Sequence, residues 1–353
     1  MPSPKTASLS AIIVTVLVVL GIGYYALSKD EPVQPTSDHV RSGHPASLDT
    51  PETANAHETS APTLTEIAAP YRDSAKPSVV VSINPLAMLI RSIAGTNIQI
   101  DVLLPPGSNP HFYQLKPSDI TKMKNAKEVF WIGEGFEVYL KKVFTAHQIR
   151  NTTIEALAGV ELDDEPHTHH DQNGAIHKLS EQGHQDPHLW LDPYLMLDII
   201  PEVRSRLSKF YPESAGAFAK NSEQTTTAIN LLIEDYTTQF KSESSRPVFS
   251  AHDAFRRLSD RLGFTLVDSF ADSAEKKPGI GHLKRMQEKI RALEKVCFLE
   301  ELGTTSFYTK SIPAETDVKR AQIDLLGQTL TGTATYPEYL AQLLSTLREC
   351  TRL

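Results

Sequence analysis

Thirteen histidines stand in this chain of 353 residues, and their placement is uneven. Six fall between Glu161 and His188, in ELDDEPHTHHDQNGAIHKLSEQGHQDPH: His167, His169, His170, His177, His184 and His188. Acidic residues are interleaved, so such a loop would offer several weak, fast-exchanging sites to a divalent metal. A solvated low-complexity loop with incidental metal affinity is the plainer reading. The other ligand-type residues occur where the chain is expected to leave β-strands, the place where open α/β sheets collect ligands. His111 follows DVLL and its loop PPGSNP, His252 comes just after PVFS, and Asp324 ends AQI. His188 sits in QDPHLWLDP, between the histidine-rich stretch and a helix. Three imidazoles and a carboxylate suit a four-coordinate site for Zn2+. Singly, each has a blander explanation: a loop histidine as a surface or capping residue, an Asp before Leu-Leu-Gly as a turn former. The spacing matches no short zinc signature such as H-E-x-x-H.

Positioning such residues requires strands and helices in alternation, and the pattern supplies them. SVVVSI, NIQIDVLL, EVFWIG, RPVFS, FTLVDSF, VCFLE and KRAQID read as strands. NPLAMLIRSIAG, a helix N-capped by Ser118, PEVRSRLSKF, DAFRRLSDRLG, HLKRMQEKIRALE and PEYLAQLLSTLREC read as helices. This alternation implies an α/β fold with parallel sheets. From Tyr211 to Phe240 the helical period runs on with no breaker after Gly216. At 1.5 Å per residue that is a rod of about 45 Å, suited to a strut between two lobes. Two of the ligand candidates precede it and two follow, so a metal would bridge the lobes. The expected layout is residues 76–210 as the first lobe, with the histidine-rich loop at 163–187, 211–242 as the connecting helix and 243–353 as the second lobe.

The net charge of −8 and the pI of about 5.9 give no basic footprint for nucleic acid. A mean hydropathy of −0.27 excludes a polytopic membrane protein. Residues 1–28 hold one apolar run, AIIVTVLVVLGIGYYAL at 11–27, preceded by Lys5. It reads as an export signal or an uncleaved membrane tether. Residues 29–75, rich in Pro, Ser, Thr and Ala, read as a disordered linker.

Four phrases in order resemble the signature stretches of one family: NPHFYQLKPSDI (109–120), DPHLWLDP (186–193), FSAHDAFRRLSDRLGF (249–264) and IDLLG (323–327). The family is the metal-specific solute-binding proteins of ABC transporters, in the cluster that takes up zinc in the periplasm. The resemblance spans about Lys76 to Leu353. It implies two α/β lobes, each a parallel sheet flanked by helices, joined by one long rigid helix, with the metal in the interlobe cleft. It further implies a monomer outside the inner membrane that delivers its ion to an ABC permease and catalyses no reaction. Position by position, it implies His111, His188, His252 and Asp324 as metal ligands. Relatives that carry manganese usually have Glu at the third position, so His252 favours Zn2+ over manganese. Pro110 and Leu325 depart from the family pattern, in which some members have Glu and Pro at those positions.

The resemblance also implies a disulfide between Cys297 and Cys350, which an exported chain with two cysteines is expected to form. A buried thiol with a separate exposed one is the alternative. Two rival classes remain from residues alone. A zinc hydrolase would need an open coordination position and a base, for which Glu134 and Glu301 are the acids nearest strand ends. Glu301 is otherwise expected on a lobe surface that docks the permease. A zinc-storage protein or adhesin is the other rival.

Overall fold

The computed structural model describes residues 78–111, 113–160, 186–242, 245–271, 278–302 and 312–353. The apolar run at 11–27, the linker at 29–75 and the loop histidines His167, His169, His170, His177 and His184 lie outside the described residues. Among the described residues no helix is long and apolar enough to cross a membrane.

Short β-branched runs make the first sheet: β1 (Ser78–Val81), β2 (Gln99–Val102), β3 (Glu128–Trp131) and β4 (Asn151–Thr153). All its pairs are parallel and the order is β2-β1-β3-β4. The second sheet holds β5 (Val248–Ser250), β6 (Leu266–Ser269), β7 (Lys295–Glu301) and β8 (Asp317–Ile323), again all parallel, in the order β6-β5-β7-β8. Central β1, β3 and β5 are buried almost throughout, as parallel strands covered by helices on both faces must be. The edge strand β8 keeps its polar residues at the surface.

The helices are α1 (Asn84–Ala94), α2 (Pro117–Asn125), α3 (Val138–His147), α4 (Ile154–Ala158), α5 (Pro193–Phe210), α6 (Ala215–Ser242), α7 (Arg256–Leu262), α8 (Ile280–Arg291) and α9 (Tyr336–Thr351). Two sequence expectations are corrected here. Ser118 does not cap α2: the helix starts at Pro117, and Asp119 reaches back to accept the Lys116 N–H at 2.9 Å. Proline at the first helical position lacks only an N–H that would have had no intrahelical partner. Helix α5 begins eight residues earlier than PEVRSRLSKF suggests, carrying Pro201 inside it. Burial of Leu195, Met196, Ile199, Ile200, Val203 and Leu207 offsets the lost hydrogen bond. Strand β4 and helices α3 and α4 were not read from the sequence.

The strut is α6, 28 residues and so about 42 Å long. Phe218, Ser222, Thr225, Ile229, Ile233 and Phe240 are all buried and recur every three, four or seven residues, one stripe of a helix. That stripe packs on α1, α5 and α9. Asn221 donates to the Ile93 carbonyl at 3.0 Å and Thr225 to that of Ser92 at 3.3 Å, satisfying the last turn of α1. Helix α9 follows the second sheet in the chain but also lies on α1, which belongs with the first. The seam is hydrogen-bonded: Arg91 donates to the Ala334 carbonyl, the Tyr336 N–H to Ser92 Oγ, and the Tyr336 hydroxyl to the Trp190 carbonyl. The Cys297–Cys350 disulfide is present and ties β7 to α9. Closing a loop of 53 residues is worth about 4 kcal/mol in the chain-entropy view.

Ile229 is 0 % exposed at the middle of the strut. Ile229→Ala should cost about 2–5 kcal/mol in urea unfolding. A loss below 1 kcal/mol would mean that the stripe does not carry the packing of the strut.

Candidate metal centre

His188 is aimed by its neighbours in sequence. Asp186 Oδ1 accepts the His188 backbone N–H at 2.9 Å and its ring Nδ1–H at 2.7 Å. This is an Asx turn closed around Pro187. A carboxylate only accepts, so the ring proton sits on Nδ1 and Nε2 carries a lone pair. Burial pushes the Asp186 carboxyl up, but the contacts with His188 and Arg257 outweigh it and hold it below the usual carboxylate range. Trp190, in the short 3-10 turn Leu189–Leu191, donates Nε1–H to the Leu325 carbonyl at 2.9 Å. Asp192 then caps α5 by accepting the N–H groups of Tyr194 and Leu195.

His252 lies two residues beyond β5, where Ser250 Oγ donates to its carbonyl at 2.9 Å. Its Nδ1 pairs with Glu301 Oε1 at the end of β7. Burial pushes the Glu301 carboxyl up; the hydrogen bond from His252 and the three nearby imidazoles prevail and keep it ionised. His252 therefore also turns a bare Nε2 inward. The two Nε2 atoms of His188 and His252 stand 3.2 Å apart.

His111 arrives on the loop after β2, with its backbone N–H on Asn109 Oδ1 at 2.9 Å. Phe136 meets it edge-on at 5.0 Å, and also contacts His188 at 5.7 Å and Trp190 at 4.9 Å. This aromatic wall flanks His111 and His188. Burial and the neighbouring imidazoles depress the His111 pKa to about 4. Phe136 is placed by Glu137, whose two oxygens accept the N–H groups of Ile132 and Gly133. Glu137 is 0 % exposed, and burial raises its carboxyl to about 7.

One ligand atom from each of His111, His188 and His252 falls in a group with no separation above 4.8 Å. Such a group can hold a divalent cation on imidazole nitrogens. The structure does not bring Asp324 into it. Asp324 Oδ2 instead accepts the N–H and the hydroxyl of Thr329, each at 2.7 Å, and caps its own turn. Glu134 is exposed and paired with Lys141 at 2.6 Å. Glu301 turns its Oε1 to His252.

The model of the family described as zinc-uptake complex component A, periplasmic, matches residues 79–350. The chain belongs to that family. Among similar proteins is the high-affinity zinc uptake system protein ZnuA of Brucella abortus, 25% identical over 309 residues, 77% of this chain and 91% of that protein. ZnuA of Haemophilus ducreyi is 27% identical over 290 residues, 78% and 94% of the two chains. Among solved structures, the laminin-binding adhesin of Streptococcus agalactiae aligns with a TM-score of 0.64 at 19% identity, over 78% of this chain and 100% of that one. A crystal structure of ZnuA aligns with a TM-score of 0.61 at 18% identity, over 78% and 99%.

Asp186, Phe136 and Glu137 are residues at the cluster that sequence reasoning missed, and for Glu301, singled out as an acid near a strand end, it missed the pairing with His252. One signal was available: Asn109-Pro110-His111 and Asp186-Pro187-His188 are the same Asx-Pro-His turn, used twice.

Two titrations follow. His111 in the metal-free protein should stay neutral as pH falls from 8 to about 5 and protonate near 4, read from its ring NMR signals. A midpoint at its ordinary 6.5 would show that the wall does not exclude water. Glu137 has a folded-state pKa above its unfolded value of 4.5, so its contribution is complete below pH 4.5 and is lost as pH rises through about 7. The stability of Glu137→Gln relative to wild type should therefore rise by up to about 3 kcal/mol between pH 4 and 8. A pH-independent difference would remove Glu137 as the titrating group.

Proposed function

We propose that this protein captures zinc outside the inner membrane and passes it to an ABC permease, with His111, His188 and His252 as the donors. The observation that carries this reading is the three-imidazole group, with donor atoms all within 4.8 Å. Two of its rings have their proton fixed on the far nitrogen by carboxylates. Borderline-soft nitrogen donors suit Zn2+ better than Mn2+. Membership of the zinc-uptake family supports both the cargo and the permease. The family description and the apolar run at 11–27 support a periplasmic place, with that run as export signal or tether.

Capture needs a filled coordination shell, whereas hydrolysis needs an open position and a free base. Glu301 is engaged by His252, which speaks for capture. The fourth donor is a water or a carboxylate oxygen; Asp324 has its Oδ2 on Thr329 and would have to offer Oδ1. The histidine-rich loop at 163–187 adds weak sites that raise the local zinc concentration.

Competitive zinc titration of the full chain tests this. Truncation of a ligand should exceed the 10–100-fold effect of removing a ligand's supporting residue, so His188→Ala and His252→Ala should each weaken the tight site by at least about a hundredfold. Asp324→Asn should change it by less than about tenfold. Manganese should compete poorly. A tight site indifferent to His252, or none at all, would end the cleft reading.

A further inference from the structure

Asp186 does not aim His188 unaided: it is buried, and its carbonyl and second carboxylate oxygen need donors of their own. Asp186 is 5 % exposed and His188 4 %. The partner comes from beyond the strut. Arg257, 1 % exposed, lies in the first turn of α7, five residues after His252. Its Nε donates to the Asp186 carbonyl at 2.7 Å, and its backbone N–H approaches Asp186 Oδ2 at 3.4 Å. One helical turn on, Arg261 Nε donates to Asp192 Oδ2 at 2.9 Å. Two arginines on one face of α7 thus grip both ends of the segment 186–192, which carries His188. The helix that follows His252 is the helix that sets His188.

We propose that Arg257 is a positioning residue for the metal: by holding Asp186, it fixes the Nδ1–H tautomer of His188 and indexes that ring against His252. The inference rests on the zinc reading for its purpose, and on hydrogen bonds alone for its mechanism. Its influence on His188 runs through Asp186. A guanidinium suits the task because its charge is permanent and its donors are fixed in a plane. Lysine would keep the charge and lose the Nε donor. Methionine would keep the stem and lose both.

The test compares full-length wild type, Arg257→Lys, Arg257→Met and Asp186→Asn by two readouts. The first is the nitrogen-15 ring signature of His188 in the metal-free protein, which reports where the proton sits. The second is zinc affinity by competition. In Arg257→Met and Asp186→Asn the His188 signature should move from Nδ1–H towards a mixture of tautomers. Zinc affinity should fall 10–100-fold, the usual cost of losing a ligand's supporting residue. Arg257→Lys should lie between these and wild type. A double variant should lose no more than Asp186→Asn alone, since both changes cut one relay.

A lowered melting temperature with unchanged ring signature and affinity within twofold of wild type would overturn the proposal. It would reduce Arg257 to a packing residue. If Arg257→Met does not fold, Arg257→Lys decides: an intermediate signature supports the relay, and a wild-type signature overturns it. A wild type that binds no zinc would end the zinc reading, while the ring signature would still decide whether Arg257 acts through Asp186.

Discussion

The Nε2 atoms of two imidazoles are held 3.2 Å apart by carboxylates that engage the Nδ1 side of each ring. Lone pairs at that separation repel unless a proton or a cation lies between them. Everything that holds the rings there works against that repulsion: Asp186 and Arg257 behind one, Glu301 behind the other. The arrangement is a pre-formed demand for positive charge. Burial sharpens it, since the Phe136 wall leaves little water to screen the pair. The third ring joins them without adding a charge, because His111 is kept neutral by the same dryness.

The sheet order explains why these groups meet. In each sheet the chain moves outward from the first strand, then crosses back to its other side, so the second switch point lies between β5 and β7. The crevice beyond the carboxyl ends of such a pair is the natural ligand position. His252 leaves β5 and Glu301 ends β7, so their ion pair spans the switch. In the first sheet the corresponding crevice is beyond β1 and β3, and there Phe136 and Glu137 sit. The two lobes have the same strand order and meet at one site: His252 and Glu301 from one, and His111, His188 with its Asp186, and the Phe136 wall from the other.

Much of this was legible in the residues. Alternating β-branched runs and amphipathic stretches marked seven of the eight strands and the strut, because a buried parallel strand needs little beyond local apolar character. Histidines at strand ends marked the site, because topology makes those positions special. What escaped depended on contacts distant in sequence. The pairing of Glu301 with His252, and of Arg257 with Asp186, joins residues 49 and 71 positions apart. No local pattern reveals them. Asp324 illustrates the opposite case, a residue whose visible contacts are local: its Oδ2 closes the turn to Thr329. Pro201 misled because propensity treats proline as a stop, while the packed face of α5 carries it through.

The seam formed by α9 has a mechanical meaning. A helix that belongs to one lobe by chain order, and lies on the other, acts as a splint across the hinge line. The Tyr336 hydroxyl pins that splint to the Trp190 carbonyl, beside the histidine cluster. Moving one lobe against the other would have to break this seam, the Tyr336–Trp190 bond included, so the splint sets the stiffness with which the two sheets face each other.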